Sequence, residues 1–143
     1  MGYEIQSFKS TDIKKYKNSL QIRYEVFVDE QFVNINVEVD EFEDSSTHFL
    51  CTEDKLPVAT ARMRKTKEGV KIERFAVIKS HRKKHIGSFL LGKIISKIDP
   101  SKNKIYIHAQ ESAVKFYEKH SFQIIGDEFM DANIRHFKMV LKH

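Results

Sequence analysis

The chain has 143 residues with a net charge of +5, 41% hydrophobic and 31% charged residues, and a single cysteine, Cys51. That is the length of one ordinary domain, so residues 1–143 are expected to fold around one core. The composition excludes a disordered chain and, since no apolar run approaches about 20 residues, a membrane helix. One cysteine excludes an internal disulfide and a cysteine-rich metal site, and lysines scattered along the chain do not make the continuous basic stripe of a nucleic-acid binder.

Met1 to Gln6 lack the apolar core of a signal peptide, so the expected compartment is the cytoplasm. Tyr3 to Phe8 alternates weakly and reads as a first strand. Ser10-Thr11-Asp12 then offers helix-capping side chains. Ile13, Tyr16, Leu20, Tyr24 and Phe27 recur at spacings of three and four, which predicts an amphipathic helix ending near Val28 or Asp29. From Gln31 to Asp44 no period holds, and a short helix or loop is expected. Its main feature is the acidic block Glu38, Asp40, Glu41, Glu43 and Asp44, read either as a solvated loop or as the border of a pocket for a cationic amine.

Residues 48–52 and 57–64 read as strands joined by a polar turn at 53–55, and a second turn at 67–69 leads into a strand over 70–78. A helix from Ile86 carries Phe89, Leu90, Ile94 and Ile98 on one stripe and stops at Asp99-Pro100, because proline cannot continue it. Residues 104–109 form the next strand, 111–120 a helix burying Ala113, Val114, Phe116 and Tyr117, and 122–126 and 134–141 the last two strands. A right-handed crossover through the Ile86 helix would make strands 70–78 and 104–109 parallel neighbours. The expected architecture is therefore α/β, with a mostly antiparallel sheet holding one parallel pair at its centre.

Lys79, Arg82, Lys83 and Lys84 sit just before the helix at Ile86. The first N–H groups of a helix have no internal partner and carry the positive end of its dipole, so a phosphate is the expected ligand. No G-x-x-x-x-G-K-[ST] occurs, and no G-x-G-x-x-G follows a strand. Arg82-Lys83-Lys84-His85-Ile86-Gly87 instead resembles the acyl-CoA loop of the GNAT acetyltransferase superfamily, an Arg or Gln, two variable residues, Gly, one variable residue, then Gly or Ala. His85 stands where that pattern has its first Gly, and a side chain there narrows the approach of a pyrophosphate. Ala113 to Phe122 resembles a second signature, A-x-x-x-Y-x-x-x-G-F, with Ser121 in the place of Gly. Arg23 with the run 26–31, Glu73-Arg74 and the run 133–136 resemble the small bacterial ElaA-like branch.

The resemblance implies the GNAT fold and an acetyl-CoA-dependent N-acetyltransferase acting on a primary amine of a small molecule or peptide, without metal. A non-catalytic acyl-CoA sensor is the alternative, a basic nucleic-acid module a more distant one, and a monomer or homodimer is expected. It implies CoA contacts at Phe75, Ala76, Val77, Arg82, Lys83, Lys84, His85, Ile86, Gly87, Ser88, Gln110, Phe116 and Tyr117, with the Val77 N–H on the thioester carbonyl. Tyr117 would protonate the departing sulfur, and a core tyrosine is the competing reading. Glu73 interrupts an apolar strand and is the candidate base, against a strand glutamate paired with a cation. His108 is the alternative base, and His48 and His136 are weaker ones.

Overall fold

A computed structural model describes residues 2–142. Strand β1 (Tyr3–Phe8) leads to helix α1 (Ile13–Arg23), which passes without a break into a π-helical segment (Tyr24–Glu30) and then a single turn, α2 (Ile35–Glu38). Strands β2 (Thr47–Glu53), β3 (Leu56–Lys65) and β4 (Val70–Val77) follow as an antiparallel meander. After a 3₁₀ turn (Lys79–His81) come α3 (Ile86–Ser96), β5 (Ile105–Gln110), a second 3₁₀ turn (Glu111–Ala113), α4 (Val114–Lys119), β6 (Phe122–Ile124), β7 (Phe129–Asp131) and β8 (Ile134–Leu141). The sheet order is β1-β2-β3-β4-β5-β8-β6, with β7 also paired to β8. Every adjacent pair is antiparallel except β4 and β5. This is the expected architecture, plus a short strand, β7, that the sequence reading passed over.

The β7–β8 hairpin turns at Ala132 and Asn133, both with positive φ (51° and 62°), the geometry of a two-residue turn matched to strand twist. The usual Asn-Gly or Asp-Gly signal is absent, so the sequence does not announce the turn or the strand before it.

The two faces of the sheet are covered by different helices. Phe49 and Leu50, neighbours on β2, point to opposite sides. Leu50 joins Phe8, Ile22, Val26 and Ala76 under α1, whereas Phe49 joins Ile72, Leu90, Ile94, Ile107 and Met139 under α3 and α4. Apart from Ala76, each of these buried side chains contributes about 1.5–3 kcal/mol of burial free energy.

Helix α1 departs from its predicted stripe. Ile13 and Tyr24 are 63% and 47% exposed, and the buried positions are Ser19, Ile22, Arg23 and, past the helix, Val26. The small Ser19 lets the helix approach β3, where the Thr60 hydroxyl donates to the Phe49 carbonyl at 2.7 Å and lies 2.9 Å from Ser19 Oγ, whose hydrogen it can accept. Two of the buried positions, Ser19 and Arg23, are polar, so the buried face is not the one with apolar periodicity. On α3 the buried positions are Ile86, Leu90, Leu91 and Ile94, while Phe89 lies near the Tyr3 ring at the surface.

Strands β4 and β5 pair at three positions only: Val70 with Ile105, Lys71 with Tyr106 and Ile72 with Ile107. Gly69 anchors this end. Its φ is +154°, an added Cβ would lie 2.2 Å from the Lys104 carbonyl oxygen, and the next residue, Val70, donates its N–H to that oxygen at 2.8 Å. Past Ile72 the strands part. The register of β4 against β3 shifts between Thr60 and Arg62, and Arg74 takes φ +52° there. Such a bulge bends its strand and sharpens the twist, carrying the far half of β4 away from β5.

Candidate active site

The parted strands leave a cavity of about 170 Å³, walled by Glu73 and Phe75 on β4, by His108 and Gln110 on β5, and closed behind by Tyr117. The π-helical segment covers it with Phe27, as does Gln31 just past its end, and the β7–β8 hairpin borders it with Asp131 and His136. Along β4 the backbone groups of alternate residues face alternate edges. Ile78 donates to the Val58 carbonyl of β3 at 3.0 Å, so the peptide groups of Val77 face the open edge.

Tyr117 is 5% exposed, and its ring makes edge contacts with Phe75, Phe116 and Phe122 at centroid distances of 6.1, 5.1 and 5.9 Å. Burial pushes its phenol well above the ordinary tyrosine value. Its hydroxyl makes no hydrogen bond among the described residues, yet no fully enclosed polar atom there lacks a partner. The oxygen is therefore the end of the side chain that opens to the cavity. Tyr117 is both a core ring and a cavity hydroxyl.

Where β4 ends, the chain makes the 3₁₀ turn and reaches α3 through Arg82 to His85. His85 caps the helix at φ +64°, and Ser121, in the second motif, takes φ +72°. Both positions keep the left-handed backbone that glycine adopts freely, at a cost of about 1–2 kcal/mol each for an L residue. The first bond of the helix region runs from the Phe89 N–H to the His85 carbonyl at 3.0 Å. The N–H groups of Ile86, Gly87 and Ser88 thus lack helical partners, with Lys83, Lys84 and His85 exposed around them. Gly87 packs closely: a Cβ there would stand 3.2 Å from Phe116 Cζ and 3.7 Å from Phe75 Cε1, which leaves room for a small residue only.

Two residues expected at the cofactor have protein partners instead. Arg82 donates to both oxygens of Glu30, at 2.9 and 2.7 Å, and through Nε to the Val77 carbonyl at 2.9 Å. Gln110 exchanges a reciprocal pair of amide hydrogen bonds with Gln31, at 2.7 and 3.1 Å. The end of the π-helical segment thus ties to both arms of the cleft, Glu30 to the β4 side and Gln31 to the β5 side.

Glu73 was the expected base, and its surroundings oppose that role. Glu73 is 8% exposed, and its carboxylate is held by Arg62, by Arg64 Nε at 2.8 Å and by Lys71 Nζ at 3.3 Å. Burial alone would raise its pKa, but Arg62, Lys71 and Arg64 outweigh burial and hold it below the ordinary glutamate value. A carboxylate kept ionised by three cations is a poor proton acceptor.

Of the acidic block, Glu38, Asp40 and Glu43 turn inward onto arginines and Glu38 also borders the cavity, whereas Glu41 and Asp44 are exposed. Arg23, 1% exposed, binds both oxygens of Glu43 at 2.8 Å and Glu38 Oε2 at 2.9 Å. Arg62 binds Asp40 and Glu43 at 2.8 Å, and Arg74 binds Glu38 and Asp40 at 3.1 Å. Asp44 accepts from Ser10 at 2.6 Å. Burial would raise Asp40, but Arg62, the Phe42 N–H and Arg74 bring it down to about 2. The legible signal was a set of arginines inside otherwise apolar elements, since a buried guanidinium requires carboxylates.

The histidines separate clearly. His48 is buried away from the cavity, where it donates to the Glu43 carbonyl at 2.8 Å and packs between Phe8 and Tyr16. Burial and the nearby Lys71 push His108 down to about 4, so it is neutral at pH 7. His136 borders the cavity, with Nδ1 2.7 Å from the Ile134 carbonyl. Burial pushes the Cys51 thiol up to about 11, which disqualifies it as a nucleophile. No group of three metal-ligating side chains occurs among the described residues, nor is any helix there long and apolar enough to cross a membrane.

The same fold recurs in ElaA of Escherichia coli, 25% identical with a TM-score of 0.86 over 97% of this chain and 99% of that one. It recurs too in a GNAT family acetyltransferase from Elizabethkingia anophelis with acetyl-CoA bound, 15% identical with a TM-score of 0.67 over 96% and 94%. The uncharacterized N-acetyltransferase YjcF of Bacillus subtilis (strain 168) is 35% identical over 130 residues, covering 89% of this chain and 92% of YjcF. The family model described as an acetyltransferase (GNAT) domain matches residues 8–143, and the chain belongs to that family of acyltransferases.

Proposed function

We propose that this protein moves an acetyl group from acetyl-CoA directly to a primary amine in the cleft between β4 and β5. The observation that carries the reading is the parallel pair held closed over three residues and open beyond, with Tyr117 lining the cavity between them and Gly87 of α3 packed beside the cavity wall at Phe75. The N–H groups of Ile86, Gly87 and Ser88, with Lys83 and Lys84, suit the pyrophosphate. The Val77 N–H suits the thioester carbonyl and the negative charge that grows on it during attack. Arg82 and Gln110 serve the cofactor only after exchanging Glu30 and Gln31 for it.

Tyr117 delivers its proton to the leaving sulfur. Burial makes the phenol a weaker acid, but the same dry surroundings make a thiolate a stronger base, so the transfer stays near balance. Glu73 is assigned to the arginine network rather than to the proton of the amine. Activity is checked by following CoA thiol release over a panel of small amines and lysine- or N-terminus-bearing peptides. Saturable release, proportional to protein and dependent on one amine class, is expected. Acetyl-CoA binding without turnover on any amine would leave a sensor, and no acetyl-CoA binding would remove the reading altogether.

A further inference from the structure

Acyl transfer to an amine requires a group that takes the nitrogen's proton, and the residue first expected there, Glu73, is committed to three cations. Resting on the acyltransferase reading above, we infer that His136 is the proton acceptor, using Nε2 on the β8 wall of the cavity. His136 is 8% exposed and borders the cavity. Its Nδ1 lies 2.7 Å from the Ile134 carbonyl, and since a carbonyl only accepts, Nδ1 carries the hydrogen and Nε2 the lone pair. Nε2 has no partner among the described residues, and no fully enclosed polar atom there lacks one, so Nε2 lies on the accessible part of the ring. The ring is stacked on Phe129 at 5.7 Å and 26°, which fixes its plane. A nitrogen with a set tautomer, a fixed plane and an open lone pair is what a general base needs.

The neighbouring charges favour this nitrogen. Gln110 stands opposite on β5, and His108 is its diagonal neighbour on the same face. On β7, Asp131 borders the cavity and has no ion pair among the described residues, so it favours a positive charge nearby. Across the cleft on β4, Lys71 and Glu73 bind each other, and Tyr117 of α4 is an uncharged phenol at neutral pH. On β8 itself, Lys138 is paired with Glu68 and Arg135 with Glu111. His108 is the weaker competitor, since burial and Lys71 depress it to about 4.

The step balances. The amine nitrogen forms a bond to the thioester carbon, and the carbonyl electron pair moves to oxygen. The N–H proton passes to His136 Nε2, giving an imidazolium whose Nδ1–H still rests on the Ile134 carbonyl. The oxyanion collapses, the C–S bond breaks, and Tyr117 protonates the sulfur. The imidazolium proton then restores Tyr117 through solvent, leaving amide and CoA thiol.

His136→Asn keeps a donor for the Ile134 carbonyl and removes the base. With an amine that the wild type accepts, kcat should fall by roughly 10²–10⁴, acetyl-CoA affinity should stay unchanged, and the acidic limb of the kcat/KM pH profile should vanish. Added imidazole should restore part of the rate to His136→Ala. On the unmodified protein, ¹⁵N-histidine spectra should show the Nδ1–H tautomer for His136, a check that needs no folded variant. Turnover of His136→Asn within threefold of wild type, a limb that disappears with His108→Asn instead, or an Nε2–H tautomer would each overturn the assignment while leaving acyl transfer standing. A wild type that releases no CoA with any amine would end both.

Discussion

Tyr117→Phe should lower kcat by roughly 10²–10⁴, the usual worth of a positioned general acid, with little change in the fold. The substitution keeps the ring and its contacts with Phe75, Phe116 and Phe122 and removes one hydroxyl that has no hydrogen bond among the described residues. No buried partner is orphaned, so the melting temperature should shift by less than about 2 °C, under 1 kcal/mol for a chain of this length. Acetyl-CoA affinity should hold, because the proton is needed only as the C–S bond breaks. A tyrosine that only packed would lose neither stability nor rate on this change. Full turnover in Tyr117→Phe, measured with an accepted amine, would move the proton donation to water.

Arg62→Leu should destabilise the protein by about 3–5 kcal/mol, the range for removing one partner from a buried ion pair. Arg62 is 1% exposed and binds Asp40, Glu43 and Glu73 together. Removing it leaves Glu43 and Glu73, both buried, and the partly buried Asp40 with fewer cations, and the melting temperature should fall by roughly 6–20 °C. The same network sets the acid limit. Asp40, Glu43 and Glu73 all titrate lower in the folded chain than in the unfolded one. Depressed pKa values give stability that is complete above the unfolded values of about 4 and is lost as pH falls through the folded ones. For Asp40 the folded value is about 2. Wild-type stability should therefore drop steeply between about pH 4.5 and 2, and Arg62→Leu should flatten that drop. Urea midpoints across this range check both statements, and a wild-type slope retained in the variant would contradict the second.

The order of strands and helices was legible because hydrophobic alternation, turn residues and the break at Asp99-Pro100 are local signals. The parallel pairing followed from the handedness of crossovers. Less legible was anything decided by polar groups in the interior. The face that α1 buries contains Ser19 and Arg23, so counting apolar residues pointed at Tyr24, which lies at the surface. The arginine partners of the acidic block could not be read from the chain because Arg23, Arg62 and Arg74 are 15 to 36 positions away and meet it only in the folded state. At His85 and Ser121 the motif's backbone survives without its glycines, since both residues take positive φ. The resemblance pointed to Tyr117, which the structure puts at the cavity, whereas the position of His136 there depends on its bond to the Ile134 carbonyl and on a hairpin the sequence does not announce.

A crystal structure of the acetyl-CoA complex tests the central claim most directly. The account predicts the pyrophosphate on the N–H groups of residues 86–88, the thioester carbonyl within hydrogen-bonding distance of the Val77 N–H, the sulfur beside the Tyr117 hydroxyl, and the Gln31–Gln110 pair separated to admit the pantetheine arm. Acetyl-CoA bound elsewhere, or held with Gln31 and Gln110 still joined across the cleft and Tyr117 out of reach of the sulfur, would contradict it.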